Sequence, residues 1–431
     1  MTSATLIRPA LRLSGSILVG LSAGLILHLF TLAFLGRLGE DALYVRAIFT
    51  PFGFLILAVV EGVVVAAQVS AGIATRSGRR DVLRPLPTFL AVGGGVLVLI
   101  AALFTAGSGP ILNALEVRPE LRPDVVTFVV TVCLATVVSL LPYAGAALLR
   151  GIGRTGTSSM STVGFTVLSM VLTVSLAPLG VLAVPAATAV AGVIAGVAVL
   201  VPLRGHAAGR PWLRRDAAAG MWTLGAPVAV TFLLLSTVNF GYLWVLRDAT
   251  AADVAGFNLG QGAITFVMVV ALAVGSGTAV AVNLRPGEVR RPIEAAGLSA
   301  AVRMTLPAYA VIGLLTWAAR DPVSRLLTTD PEVARVTAEY FQWMGPTFLV
   351  FGGTLAVLTY LEQIGHARIA LLLNVVYFAV LLVIAVLLPA PVTALTMTKL
   401  LAAGNAAGFL TCWLSARYLL SRSPAAGPRS A

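Results

Sequence analysis

Long apolar runs joined by short basic loops restrict this chain more than any other feature. Ile48–Val69 reads IFTPFGFLILAVVEGVVVAAQV, and a comparable run ends at Leu388. A bilayer core needs roughly 20 apolar residues per helix. On that ruler about twelve spans are expected. They lie near Leu13–Leu35, Ala47–Thr75, Leu86–Ala106, Val125–Leu149, Ser158–Leu176, Val181–Leu203, Trp222–Leu246, Val254–Leu284, Ala295–Ala318, Val333–Leu361, Ile369–Leu388 and Ala394–Leu419. The second and eighth are long enough to tilt or to extend past the membrane. The fold class is all-α, a polytopic membrane protein.

Composition agrees: 58% of the 431 residues are hydrophobic and 11% charged, outside the soluble range. The net charge of +12 would suggest nucleic acid in a soluble protein. Here most cations sit in loops on one side, among them Arg76, Arg79, Arg80, Arg84, Arg150, Arg154, Arg210, Arg214 and Arg215. Fewer, such as Arg37, Arg46, Arg118 and Arg122, fall on the other. Positive loops held in the cytoplasm explain the bias, with both termini cytoplasmic in a multi-pass cell-membrane protein. Nucleic acid is not an expected partner. Cys133 and Cys412 lie within apolar runs and point to no metal site. No His-Glu-x-x-His, Gly-x-Ser-x-Gly or phosphate-cradling loop occurs, which argues against an intramembrane enzyme.

The stretch Pro110–Gly153 occurs twice. PILNALEVRPEL with LLRGIG is echoed by PVSRLLTTDPEV with YLEQIG. Pro110 pairs with Pro322, Pro119 with Pro331, Glu120 with Glu332, Ile152 with Ile364 and Gly153 with Gly365, always at one offset (322 − 110 = 212). Asp41 with Asp253 and Arg79 with Arg291 keep the same register. A constant offset favours duplication over chance and gives two halves of equal helix lengths. The polar stretch Arg204–Asp216 reads as the connection between them. The division expected is 1–203 as an N-terminal six-helix lobe, 204–220 as a cytoplasmic linker, 221–421 as a C-terminal lobe and 422–431 as a disordered tail. Six spans per half give both halves one topology, a pseudo-two-fold axis along the membrane normal and a cavity between lobes. Asp330-Pro331-Glu332 reads as an N-cap, first-turn proline and first-turn acid opening the tenth span. Arg118-Pro119-Glu120 or Arg122-Pro123-Asp124 opens the fourth.

Three segments resemble the multidrug and toxic compound extrusion (MATE) family. FLGRLGEDAL (Phe34–Leu43), with Gly36, Leu38 and Gly39, is similar to the end of its first helix. Arg150-Gly151-Ile152-Gly153 with Thr155 resembles its loop after the fourth helix, and Leu326–Val333 the start of its tenth. Length, span count and repeat agree along nearly the whole chain. The resemblance implies a secondary exporter that alternates access and is driven by H⁺ or Na⁺. A competing likeness is to the major facilitator superfamily, through GIATRSGRRDVL (Gly72–Leu83). There Thr75 replaces the usual Asp, and the second half lacks the pattern. A lipid-linked precursor flippase is a further alternative, but it would want a basic central cavity and often more helices.

Charged groups at membrane depth cost about 2.5–3.5 kcal/mol each on insertion scales, so each invites a functional reading. Glu61 is the sharpest. Burial penalises its charged form, so it is poised to gain and lose a proton. Gln68 lies seven residues on, on the same face. The alternative for Glu61 is a protonated side chain bonded to a backbone carbonyl or a Ser. At the offset of 212, Glu61 corresponds to Ala273, Gln68 to Val280, His28 to Phe240 and Lys399 to Ala187. The buried ionisable groups thus fall where the halves differ. His28 either binds substrate or a proton, or packs on a carbonyl. Lys399, and with it Arg303, either snorkels or contacts substrate. Asn239 and Tyr242 are candidates for the cavity wall of the second half, whereas Asn374 and Asn405 read as helix–helix glue. Many family members carry an Asp where this chain has Thr31, and the seventh and eighth spans hold no carboxylate. A multi-carboxylate Na⁺ site is therefore not expected. The expectation is a monomeric proton antiporter without cofactors. Glu61 carries the proton; His28, Thr31, Gln68, Asn239, Tyr242 and Lys399 line the path of a small organic substrate.

Overall fold

The computed structural model describes residues 4–78, 81–114, 117–206, 213, 215–285, 290–328, 330–389 and 392–422. Most of the expected linker core and all but the first residue of the expected tail lie outside these. Among the described residues, every element is helical. Twelve helices have 18 residues or more: α1 Ala4–Leu38, α2 Glu40–Arg76, α3 Leu86–Ala114, α4 Arg122–Gly151, α5 Thr155–Ser175, α6 Ala183–Leu200, α7 Ala226–Val245, α8 Ala251–Asn283, α9 Arg290–Ala318, α10 Pro331–Leu361, α11 Ala367–Leu387 and α12 Ala394–Arg422. Helices are the outcome lipid imposes, because every backbone polar group must be bonded within its own segment.

By length and hydropathy, ten segments can cross a membrane, and one of them, Pro331–Leu387, runs through both α10 and α11. The last helix, α12, is 29 residues long and is not among the ten. It carries Lys399, Asn405 and Arg417 within its length. The helices overrun the expected spans. α1 begins at Ala4 rather than Leu13, and α2 at Glu40 rather than Ala47. Apolar content marks the bilayer core, while backbone bonding carries the helix on into the interface.

Sharp joints fall at glycines in the left-handed region. Gly39 (φ 116°) separates α1 from α2. Gly153 (φ 85°) and Gly365 (φ 97°) separate α4 from α5 and α10 from α11. The last two are a repeat pair, so that identity has a backbone reason: only glycine holds such φ without strain. At the same offset, α5 maps onto α11 end to end. The Asp330 carboxylate accepts from the Glu332 and Val333 amides (2.9 and 3.2 Å), as its N-cap reading requires. In the first half Pro119–Leu121 is a separate 3₁₀ turn, and α4 starts at Arg122 with Pro123 in its first turn. The Pro110/Pro322 pair differs in outcome. α3 runs through Pro110, whereas the second half breaks after α9 and restarts as the short helix Arg320–Leu327.

The chain forms two compact units. One comprises Ser16–Ser236 with Gly365–Leu371; the other comprises Met1–Gly15, Thr237–Ile364 and Leu372–Ala431. They do not follow the chain strictly, since the first 15 residues belong with the C-terminal unit. Within the N-terminal unit α4 is central, packing on α2, α3, α5 and α6. α10 has that place in the C-terminal unit, against α8, α9 and α12. Close approach at small residues drives such packing in lipid. A Cβ on Gly225 would come within 2.4 Å of the Gly62 carbonyl oxygen, and one on Gly313 within 2.4 Å of that of Gly345.

Candidate functional site

Glu61 lies midway along α2, half-buried, and three groups from α4 and α5 gather on its helix face. Arg150, one residue before the end of α4, turns its side chain back into the bundle. Its Nε donates to Gln68 Oε1 at 2.9 Å, and its Nη1 lies 3.5 Å from Ser158 Oγ on α5. The guanidinium and the Tyr143 ring of α4 stand within electrostatic reach of the Glu61 carboxylate. Local packing fixes this geometry. A Cβ on Gly151 would meet the Gln68 carbonyl oxygen at 2.4 Å and the Ala71 methyl at 2.6 Å, so the end of α4 lies directly on α2. Ser158 Oγ donates to the Ala146 carbonyl at 2.7 Å, which leaves its lone pairs for Arg150. The result is a carboxylate, an obligate cation and two neutral hydrogen-bonding groups in one apolar surround. Such a set can hold a proton on Glu61, or hold Glu61 charged beside Arg150.

The other sequence-derived candidates divide between the units. In the N-terminal unit His28 is exposed on α1 and faces the Arg46 charge of α2. Thr31 spends its hydroxyl proton on the Leu27 carbonyl one turn back (2.8 Å). In the C-terminal unit Tyr242 is buried edge-on to Phe257, at 6.2 Å between ring centroids. Phe257 in turn meets Tyr340, whose hydroxyl donates to Gln261 Oε1 at 3.1 Å. Asn239, three residues before Tyr242, is exposed. Lys399 is exposed and lies over the Trp343 ring (4.8 Å), a cation–π contact at the rim of the bundle. Asn405 takes a hydrogen bond from Tyr377 and gives one to Thr347, joining α10, α11 and α12 as the glue reading expected. Glu61 and Gln68 therefore share one cluster; Tyr242 and Lys399 belong to another unit.

The MatE family model matches residues 17–179 and, a second time, residues 227–387. The chain belongs to the MatE family. The double match on one chain is the duplication itself, its two copies starting 210 residues apart (227 − 17). Solved structures share the fold of this MatE protein over nearly its full length. The Vibrio cholerae MATE transporter VcmN in its bent form superposes with a TM-score of 0.88 at 17% identity, over 97% of this chain and 98% of that one. A transporter of the MOP superfamily from Pyrococcus furiosus gives 0.83 at 15% identity, over 97% of each chain. A multidrug resistance MATE transporter in an outward-facing conformation gives 0.84 at 14%, over 98% of each. No curated protein matches the sequence.

As a MatE transporter, the chain is a multi-pass membrane protein of two six-helix bundles. Sequence reading missed Arg150 as part of its site. Adjacent to a helix-ending Gly-Ile-Gly, it looked like one more cytoplasmic loop cation; only the fold shows its side chain pointing inward. Tyr143 and Ser158 gave no signal, being single polar groups in apolar runs. Glu294, one residue outside the expected ninth span, is also buried, and its main-chain carbonyl accepts from the Tyr360 hydroxyl at 2.7 Å.

Proposed function

We propose that this MatE transporter is a proton-coupled exporter of small organic molecules, drugs or secondary metabolites, in which Glu61 carries the coupling proton. The observation that carries the reading is the position of Glu61: a lone deep carboxylate on α2 beside the Arg150 charge. A carboxyl group in that setting changes its proton occupancy with small changes in its surroundings, which is what coupling needs. Proton binding and substrate binding then exchange for one another as the transporter alternates access. Na⁺ coupling finds less support, because hard cations take several oxygen ligands at once, whereas Glu61 has a guanidinium as its neighbour.

His28, Thr31 and Gln68 in one unit, with Asn239, Tyr242 and Lys399 in the other, are the residues proposed to meet the substrate. His28 beside Arg46, and Lys399, favour neutral, zwitterionic or anionic compounds over organic cations. The Pyrococcus furiosus relative is described as having a binding pocket of reverse polarity that suggests a different function, which sets a precedent within the fold. The protein is proposed to act as a monomer in the cell membrane with both termini in the cytoplasm.

Proteoliposomes loaded with a panel of cationic, neutral, zwitterionic and anionic compounds, driven by an imposed pH gradient, test this. The expected outcome is gradient-driven transport by the wild type and none by Glu61→Gln, with equal amounts of folded protein. Undiminished transport by Glu61→Gln would overturn the assignment.

A further inference from the structure

We infer that Arg150 is the positioning residue for the coupling proton, a fixed internal cation that sets when Glu61 releases it. The inference rests on the proposed role of Glu61 and adds a second residue to it. Four observations lead there.

The first is chemical. A guanidinium stays charged in proteins, so one drawn into a bundle needs acceptors for its donors and an anion for its charge. Gln68 and Ser158 supply neutral acceptors to Nε and Nη1. Nη2 makes no hydrogen bond among the described residues. The countercharge is left to Glu61, two helical turns along α2 from Gln68.

Comparison of the two halves is the second. The equivalents of Glu61, Gln68, Tyr143 and Ser158 at the offset of 212 are Ala273, Val280, Leu355 and Ala370, and that of Arg150 is Glu362. Not one polar member of the cluster is kept. The same α-helical joint exists in the C-terminal unit nonetheless. There Ser276 Oγ donates to Gln363 Oε1 at 2.6 Å, and Asn283 Nδ2 donates to the Gln363 carbonyl at 3.0 Å. The repeat thus builds the joint without an inward-pointing arginine, so the arginine is not there to build it.

A third observation concerns competition. Every element packed on α2 was considered for charges facing Glu61. α3 carries no titratable side chain from Leu86 to Ala114. The stretch from Arg215 to Ser236 has only Arg215 and Asp216, at its start. α4 offers Arg150, Tyr143 and Cys133, and of these only Arg150 bears a charge at neutral pH. One cation therefore answers one carboxylate.

The fourth is mechanical. Arg150 ties the ends of α4 and α5 to α2 through Gln68 and Ser158, at the glycine contact where α4 meets α2. When Glu61 is protonated, the guanidinium rests on these neutral groups. When Glu61 loses its proton, the nearby negative charge competes for the same guanidinium. Proton occupancy on α2 is thereby converted into a pull on the cytoplasmic ends of α4 and α5.

Infrared titration of the full-length protein in lipid tests this without a known substrate. The carboxylic-acid carbonyl band removed by Glu61→Gln reports the protonated side chain. Arg150→Gln is expected to move the midpoint of that band to higher pH by about one unit or more, since an opposite charge nearby favours the carboxylate by about one to three units. Arg150→Lys should restore most of the shift. The double variant Gln68→Leu with Ser158→Ala keeps the cation but frees it from its neutral partners, so its midpoint should move the other way. If Arg150→Gln misfolds, this double variant and Arg150→Lys still decide the matter. A band midpoint unmoved by all three would overturn the role of Arg150 and leave that of Glu61 standing. A spectrum in which Glu61→Gln removes no band at any pH would overturn the Glu61 reading itself.

Discussion

Single side chains carry three kinds of work in this protein, and they differ in how visible they are along the chain. Glu61 and Gln68 were legible, because a carboxylate and an amide seven residues apart in an apolar run stand out by cost and by helical period. The Asp330 cap was legible too, as a local pattern whose partners are two and three residues away. Replacing Asp330 by Ala should lower stability by about 0.5–2 kcal/mol, and Asn should recover most of it. Thermal unfolding in detergent measures this without touching the proposed site. Arg150 was not legible, since its partners lie 82 and 8 residues away and its direction depends on how α4 meets α2. Lys399 resolves into a contact with Trp343, which favours its snorkelling reading. Trp343→Leu should cost about 0.5–2 kcal/mol through the lost cation–π contact, with packing added.

Helices in lipid gain little from apolar contact as such, so their adhesion depends on how closely backbones approach. Two glycines make the point by contrast. Gly225 sits on Gly62 with no room for a methyl group, while nothing lies within 4 Å of a Cβ built on Gly15. Gly225→Ala is therefore expected to destabilise by about 1–3 kcal/mol through overpacking. Gly15→Ala is expected to be neutral or to stabilise by up to about 1 kcal/mol, through helix propensity. Melting curves of the two variants side by side would show the difference; equal effects would mean that the α2–α7 contact does not form in the membrane. Helix lengths beyond the apolar core were outside the reach of hydropathy, because interfacial turns are held by backbone bonds and caps rather than by composition.

At the scale of the whole molecule, the duplication governs the design. Matched joints at Gly153 and Gly365 and matched helices α5 and α11 show that the copies share a scaffold. An exchange at the helix starts is also shared. Ser14 of α1 packs on Gly277 of α8 in the C-terminal unit, and Gly225 packs on Gly62 of α2 in the N-terminal one. In sequence these starts correspond almost residue for residue (14 + 212 = 226). Removing residues 1–15 should therefore loosen α8 near Gly277 while leaving α2 near Gly62 unchanged. Hydrogen exchange read by mass spectrometry on peptides from the two helices would check it. Faster exchange in α2 than in α8 would contradict the assignment of that segment.

The sequence by itself determined that the chain crosses a membrane many times, that it is built twice over, where its main joints lie, and which carboxylate stands alone at depth. All of these follow from hydropathy, register, and the φ preferences of glycine and proline, which act over a few residues or repeat along the chain. Tertiary structure alone decided that Arg150 points inward to meet Gln68 and Ser158, and that the first 15 residues belong with the distant half. It also decided that Tyr242 is packed into an aromatic cluster with Phe257 and Tyr340. Those outcomes depend on which helix faces meet across many tens of residues. A long side chain at a helix end can turn either to water or to the bundle, and only the neighbours it finds there set the direction.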